Sequence, residues 1–198
     1  MSFNVVREFE AKIAKIFNAP YAVATDCCTH AIEACLIYKH CTEIKIPVHT
    51  YVSVPFLSNK LNISLTWTDE KWKEMYHVAS NIYDAAALWK PGSYIKNTLM
   101  CLSFQYTKPL GIGRGGCILT DNRRDYDALQ KLCYDGRSPG ISWLDQDIDS
   151  VGYHYYMYPD AAKIGIDKLS NPIENRIPCW EDYIDCTTLT VFSCTRTY

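Results

Sequence analysis

No apolar run in this chain of 198 residues approaches the length that crosses a bilayer. Its ten cysteines include no Cys-x-x-Cys pair, so a zinc site has no support and no metal is expected. Charge of one sign is also missing: a net charge of -2 gives no electrostatic reason to bind nucleic acid or an anionic membrane. There is no internal repeat and no low-complexity linker, which leaves one ordinary domain with room for a small appendage. The N-terminal stretch MSFNVVREFEAKIAKIF lacks the apolar core of a signal peptide, so the expected location is the cytoplasm, with reduced thiols. Cys35, Cys101, Cys117 and Cys133 lie inside apolar runs, where cysteine acts as a small buried hydrophobe.

What is present alternates between strand-like and helix-like stretches. Phe9, Ile13, Ile16 and Phe17 fall at helical spacing, and Asn18-Ala19-Pro20 ends that helix. Tyr21–Thr25 reads as a short buried strand, followed by a polar break and a helix over His30–Tyr38. Further strands are predicted at Ile44–Val48, Ile63–Trp67, Val78–Tyr83, Thr98–Phe104 and Cys117–Thr120. Helices are predicted from Tyr51 through Leu57, over Arg123–Tyr134 and over Pro159–Leu169, and a last strand over Thr187–Phe192. Repeated strand and helix units point to a three-layer α/β/α fold with a mostly parallel sheet. Ligands in such sheets sit at the carboxyl ends of strands, where Asp26, His49, Asp84 and Ser103 fall.

The stretch Ser103–Gly116, SFQYTKPLGIGRGG, places one lysine, Lys108, in a polar loop between two strands. A lysine amine on such a turn can form a Schiff base with a carbonyl. The glycines match the letters of a dinucleotide fingerprint, but they lead into a strand and not a helix, so that reading fails. They instead let backbone pass close to something near the lysine. Asp84 could cap a helix over Ala85–Leu88, or hold a pyridine nitrogen protonated. Alone, Thr29 reads as an N-cap, Tyr51 as core and His154 as a packing residue among tyrosines.

Taken in order, five segments resemble the DegT/DnrJ/EryC1/StrS family of sugar aminotransferases. They are YAVATDCCTHAIEACL, IPVHTYVSV, IYDAAALW, SFQYTKPLGIGRGGCILTDN and GYHYYMYPDAAKIGIDKL, and they span most of Phe9–Leu169. The resemblance implies the large domain of a fold-type I pyridoxal-phosphate-dependent transferase over residues 1–170. Residues 171–198 would be a short tail or a remnant of the small domain, most of which would be missing. Lys108 would carry the Schiff base and later move the proton, and Asp84 would pair with the pyridine nitrogen. Tyr51 would stack on the ring. Thr29, the amides of Cys27 and Cys28, and Ser103 would hold the phosphate. His154 stands where the family has an asparagine that reaches the phosphate from the other subunit, which implies a homodimer.

The chain also departs from the family pattern. Cys27-Cys28 replace Ser-Gly, Ala87 stands in place of Gln or His, Pro109 in place of Asn and Tyr156 in place of Arg. The stretch between Leu65 and Asp84 is too short for the family's extra strand and helix. Two readings follow. One is an aminotransferase that takes an amino group from an amino acid, glutamate by expectation, to a keto group of a nucleotide-linked sugar. The other is a reduced relative that binds the cofactor or a partner without transaminating.

Overall fold

The computed structural model describes residues 3–171 and 177–193. Helix α1 (Asn4–Phe17) buries Val6, Phe9, Ile13 and Phe17 along one stripe, and Asn18 ends it in the left-handed region at φ 60°. Asparagine tolerates that conformation, so the chain can reverse there into strand β1 (Tyr21–Thr25). Next come α2 (Cys28–Tyr38), β2 (Glu43–Pro47), α3 (Ser53–Leu61) and β3 (Ser64–Thr68). The chain continues through β4 (Tyr76–Ala79), β5 (Ile82–Asp84), β6 (Leu99–Ser103), β7 (Gly116–Thr120), α4 (Arg123–Cys133), α5 (Pro159–Leu169) and a short α6 (Thr190–Ser193).

The strands alternate between two cores. Val23, Leu99, Cys101 and Ile118 face a cluster formed with α2, α3 and α4 through Ile32, Leu36, Leu57 and Leu129. Their neighbours Ala22, Met100, Leu102 and Leu119 face the opposite cluster, with Phe9, Phe17, Ala161 and Ala162 of α1 and α5. Both faces of the sheet are therefore covered, which is why these strands read as nearly continuous apolar runs. Each fully buried Phe or Leu contributes about 1.5–3 kcal/mol.

The expectation of a mostly parallel sheet is corrected. The main sheet has the order β1-β7-β6-β5-β4, and β2 with β3 forms a separate pair lying against β4. Only β5–β6 and β2–β3 are parallel; β1–β7, β6–β7 and β4–β5 are antiparallel. The predicted strand Val78–Tyr83 is in fact two strand ends joined by a tight turn, because Ser80 adopts φ 47° and folds β5 back on β4. Ala85–Leu88 forms a turn and not a helix, with Leu88 N–H donating to Ala85 O. The predicted strand Thr187–Phe192 is also absent: Cys186–Thr188 is one 3-10 turn and α6 follows. Asp185 caps the turn through the Thr187 N–H, which favours a turn over an extended strand.

Candidate active site

Four elements deliver their ends to one cavity of about 230 Å³. The start of α2 brings Cys27, Cys28 and Thr29; the approach to α3 brings Thr50, Tyr51 and Ser53; β5 ends on Asp84; β6 ends on Ser103, with Lys108 just beyond it. Seven of the eight residues expected from sequence meet here: Lys108, Asp84, Tyr51, Cys27, Cys28, Thr29 and Ser103 all line it. His154 does not. It lies outside this cavity, largely exposed, with Nδ1 3.0 Å from Asp135 and its ring edge-on to Tyr156.

The first amides of α2 have no partner within the helix and point along its positive end. Gly116 makes this placement possible. A Cβ there would lie 2.5 Å from Cys27 C and from Cys28 N, so β7 can run against the helix start only without a side chain. Thr29 Oγ1 is 2.6 Å from Ser53 Oγ, which joins the starts of α2 and α3 at one polar corner. A second glycine shapes the lysine turn. Gly111, at φ +51°, sits where a Cβ would be 3.1 Å from the carbonyls of both Tyr106 and Lys108.

Asp84 is 5% exposed. It accepts from the Ala86 N–H at 2.9 Å and from the Tyr76 hydroxyl at 2.7 Å, and that hydroxyl also contacts Thr50 Oγ1 at 2.7 Å. Burial pushes the Asp84 carboxyl above its ordinary range, against the pull of these hydrogen bonds and of Lys108. A carboxylate in that position gains from any cation brought into the cavity. Burial, and next the Asp84 charge, hold the Cys28 thiol well above its usual value, so Cys28 is a neutral thiol that donates to Cys101 O at 3.4 Å. Lys108 is 8% exposed, and its Nζ donates to the Tyr183 hydroxyl at 2.8 Å. Tyr51 is 57% exposed at the rim.

Behind the helix start, Asp26 is shared between His30 Nδ1 and Arg114, each at 2.6 Å. The Asp26 hydrogen bond raises His30 to about 9. Asp26, Cys27 and His30 bring potential ligand atoms within 4.8 Å of one another, but the carboxylate is already committed to two cationic partners. Sequence reasoning missed Thr50, Ser53, Trp72, Tyr76 and Tyr183, all of which line the cavity. Only Ser53 carried a usable signal, as a hydroxyl at the start of a predicted helix.

Residues 92–184, a little under half of the chain, match the family model described as the DegT/DnrJ/EryC1/StrS aminotransferase family. No curated protein matches the chain. Among solved structures, a sugar aminotransferase from Micromonospora echinospora is similar over 84% of this chain and 60% of its own, at 14% identity and TM-score 0.69. AtS13 from Actinomadura melliaura is similar over 86% and 60%, at 17% identity and TM-score 0.74. PseC from Helicobacter pylori, an aminotransferase involved in the biosynthesis of pseudoaminic acid, is similar over 84% and 57%, at 11% identity and TM-score 0.65. The chain thus spans about 60% of the length of these solved structures, and at these identities the likeness is one of fold.

Proposed function

From the match of residues 92–184 to the model of the DegT/DnrJ/EryC1/StrS aminotransferase family, we propose that this protein is a pyridoxal-phosphate-dependent aminotransferase. The observation that carries the reading is the shared cavity of Lys108 and Asp84, an amine and a carboxylate both withdrawn from water. The cavity's chemistry fits the cofactor. The α2 start, with the Thr29 and Ser53 hydroxyls beside it, suits a phosphate. Burial raises the Asp84 carboxyl pKa, so a pyridinium nitrogen brought beside it would favour its ionised form, and Lys108 offers an amine for the aldehyde.

When bound, pyridoxal phosphate supplies an electron sink for the carbon next to the transferred amino group. The chain's own residues then divide the remaining work. Asp84, if ionised against the penalty of burial, would keep the pyridine nitrogen protonated. Lys108 Nζ would take and return the proton at the reacting carbon, as a general base and acid held in a water-poor cavity. The amides of Cys27 and Cys28, with Thr29 and Ser103, would hold the phosphate, and Tyr51 would stack on the ring. Ala87, buried in the wall where a Gln or His was expected by family resemblance, leaves that side apolar.

The amino donor is an amino acid, taken as glutamate, and the acceptor is the keto group of a nucleotide-linked sugar. The similar structure from Micromonospora, described as a sugar aminotransferase, supports a sugar as the acceptor. The working unit is a homodimer with its sites at the subunit interface. His154 lies outside its own cavity, and Ile141, Trp143, Leu144 and Val151 of the same region are exposed apolar side chains that a second copy would cover. The test of cofactor binding is reduction with borohydride in the presence of pyridoxal phosphate, followed by peptide mapping. The expected result is a pyridoxyl group on Lys108 and no label there in Lys108→Ala; a label elsewhere, or none, overturns the reading.

A further inference from the structure

The stretch that follows residue 176 brings Tyr183 to the cavity wall. Cys179 bridges to Lys73, and the Trp180 N–H donates to Trp72 O at 3.4 Å. Further on, the Cys186 N–H donates to Val48 O at 2.8 Å and its buried thiol to Thr50 O at 3.3 Å. Tyr183 hangs between these two attachments. Its carbonyl is 2.9 Å from His49 Nδ1, and its ring lies 5.4 Å from that of Trp72, whose Nε1 donates to His49 O at 2.7 Å. Backbone, ring and neighbour are fixed, so the hydroxyl is fixed as well, and it meets Lys108 Nζ at 2.8 Å across 75 residues of sequence.

We propose that Tyr183 is a positioning residue for Lys108, its hydroxyl holding the amine at the cavity wall. The proposal rests on the reading of Lys108 as the amine that meets the cofactor's aldehyde. A lysine ends a flexible four-carbon stem and needs an external contact to fix its head. A carboxylate in that place would add a charge and hold the ammonium form tightly. A phenol adds no charge: it accepts from the ammonium, and by rotating its proton it can donate to the free amine. The amine is thus held in either protonation state and can still be released to a carbonyl.

The test begins with the cofactor-free chain and uses trace acetylation by acetic anhydride, reading Lys108 against the other lysines of the same molecule by mass spectrometry. Tyr183→Phe keeps the ring against Trp72 and removes only the oxygen. The expected result is an increase of about tenfold in the relative reactivity of Lys108, because the amine is no longer held by the phenol oxygen, with the other lysines unchanged. Equal Lys108 reactivity in the two proteins overturns the proposal, since a ring that merely covers the amine would be preserved in the Phe variant. Failure of the underlying reading appears separately, as wild-type protein that takes no pyridoxyl label on Lys108. A third measurement follows the spectral change when the cofactor-loaded protein meets glutamate. A slower change in Tyr183→Phe with the same half-saturating glutamate supports the proposal, and an unchanged rate counts against it.

Discussion

Asp84 shows how a single side chain can cost the fold what it gives the site. Its carboxyl is held above the ordinary 3.8, with burial the largest cause. The folded state therefore keeps the proton to higher pH than the unfolded state does. The stabilising contribution of this group is complete below 3.8 and is lost as pH rises through its folded value. Asp84→Asn removes that loss, and the partners can adapt: the Tyr76 hydroxyl can accept from the amide while donating to Thr50 Oγ1. The expected outcome is a variant whose Tm, relative to wild type, rises as the buffer goes from pH 4 to pH 7, while its retention of pyridoxal phosphate falls. Differential scanning calorimetry across that range, with and without cofactor, checks both halves. A Tm difference that stays flat with pH would show that Asp84 is not held protonated in the fold. Asp84 was legible because it ends an apolar strand, and Lys108 because it stands in a polar loop between two apolar runs, within a motif order that resembles one family. Tyr183 was not, because its role comes from a contact formed only after the chain has folded across 75 positions.

At the level of elements, sequence signals worked where local chemistry sets the boundary. Pro159 at the first turn and the apolar spacing behind it give α5 the same limits in sequence and structure. They failed where tertiary contacts decide. The positive φ falls on Ser80 and the turn residue Asn81 follows it, yet the two lie inside an otherwise apolar run, so the β4–β5 hairpin reads as one strand. The joint between α1 and α5 depends on one glycine. A Cβ at Gly165 would lie 2.4 Å from Phe9 Cε2 and 2.9 Å from Cδ2, and Phe9 is fully buried with its ring 5.3 Å from that of Phe104. The ring has nowhere to go, so Gly165→Ala should destabilise the fold by about 1–3 kcal/mol even though alanine favours helix. Urea unfolding measures it, and Phe9→Leu in the same background should recover part of the loss. A neutral or stabilising Gly165→Ala would mean that the two helices are free to separate.

At the level of the molecule, the two cores on either side of the sheet make a frame whose strand ends share one edge, and the cavity lies along that edge. The mixed strand order does not disturb this, because β5 and β6, which deliver Asp84 and Ser103, remain the parallel pair. The frame places one expected residue elsewhere. His154 is tethered by Asp135 and by the Tyr134 bridge, outside its own cavity and beside exposed apolar side chains. If it serves the site of a second copy, Lys108→Ala and His154→Ala disable different halves of a two-fold dimer. A mixed dimer then holds one site with both substitutions and one with neither. Each variant alone should be inactive in the half-reaction with glutamate. Unfolding and refolding them together should restore roughly a quarter of the wild-type sites, because random pairing makes half of the dimers mixed. The amplitude of the half-reaction with glutamate, set against that of the wild type, counts the restored sites. If activity stays absent in a mixture that sedimentation shows to be dimeric, His154 acts within its own subunit or not at all.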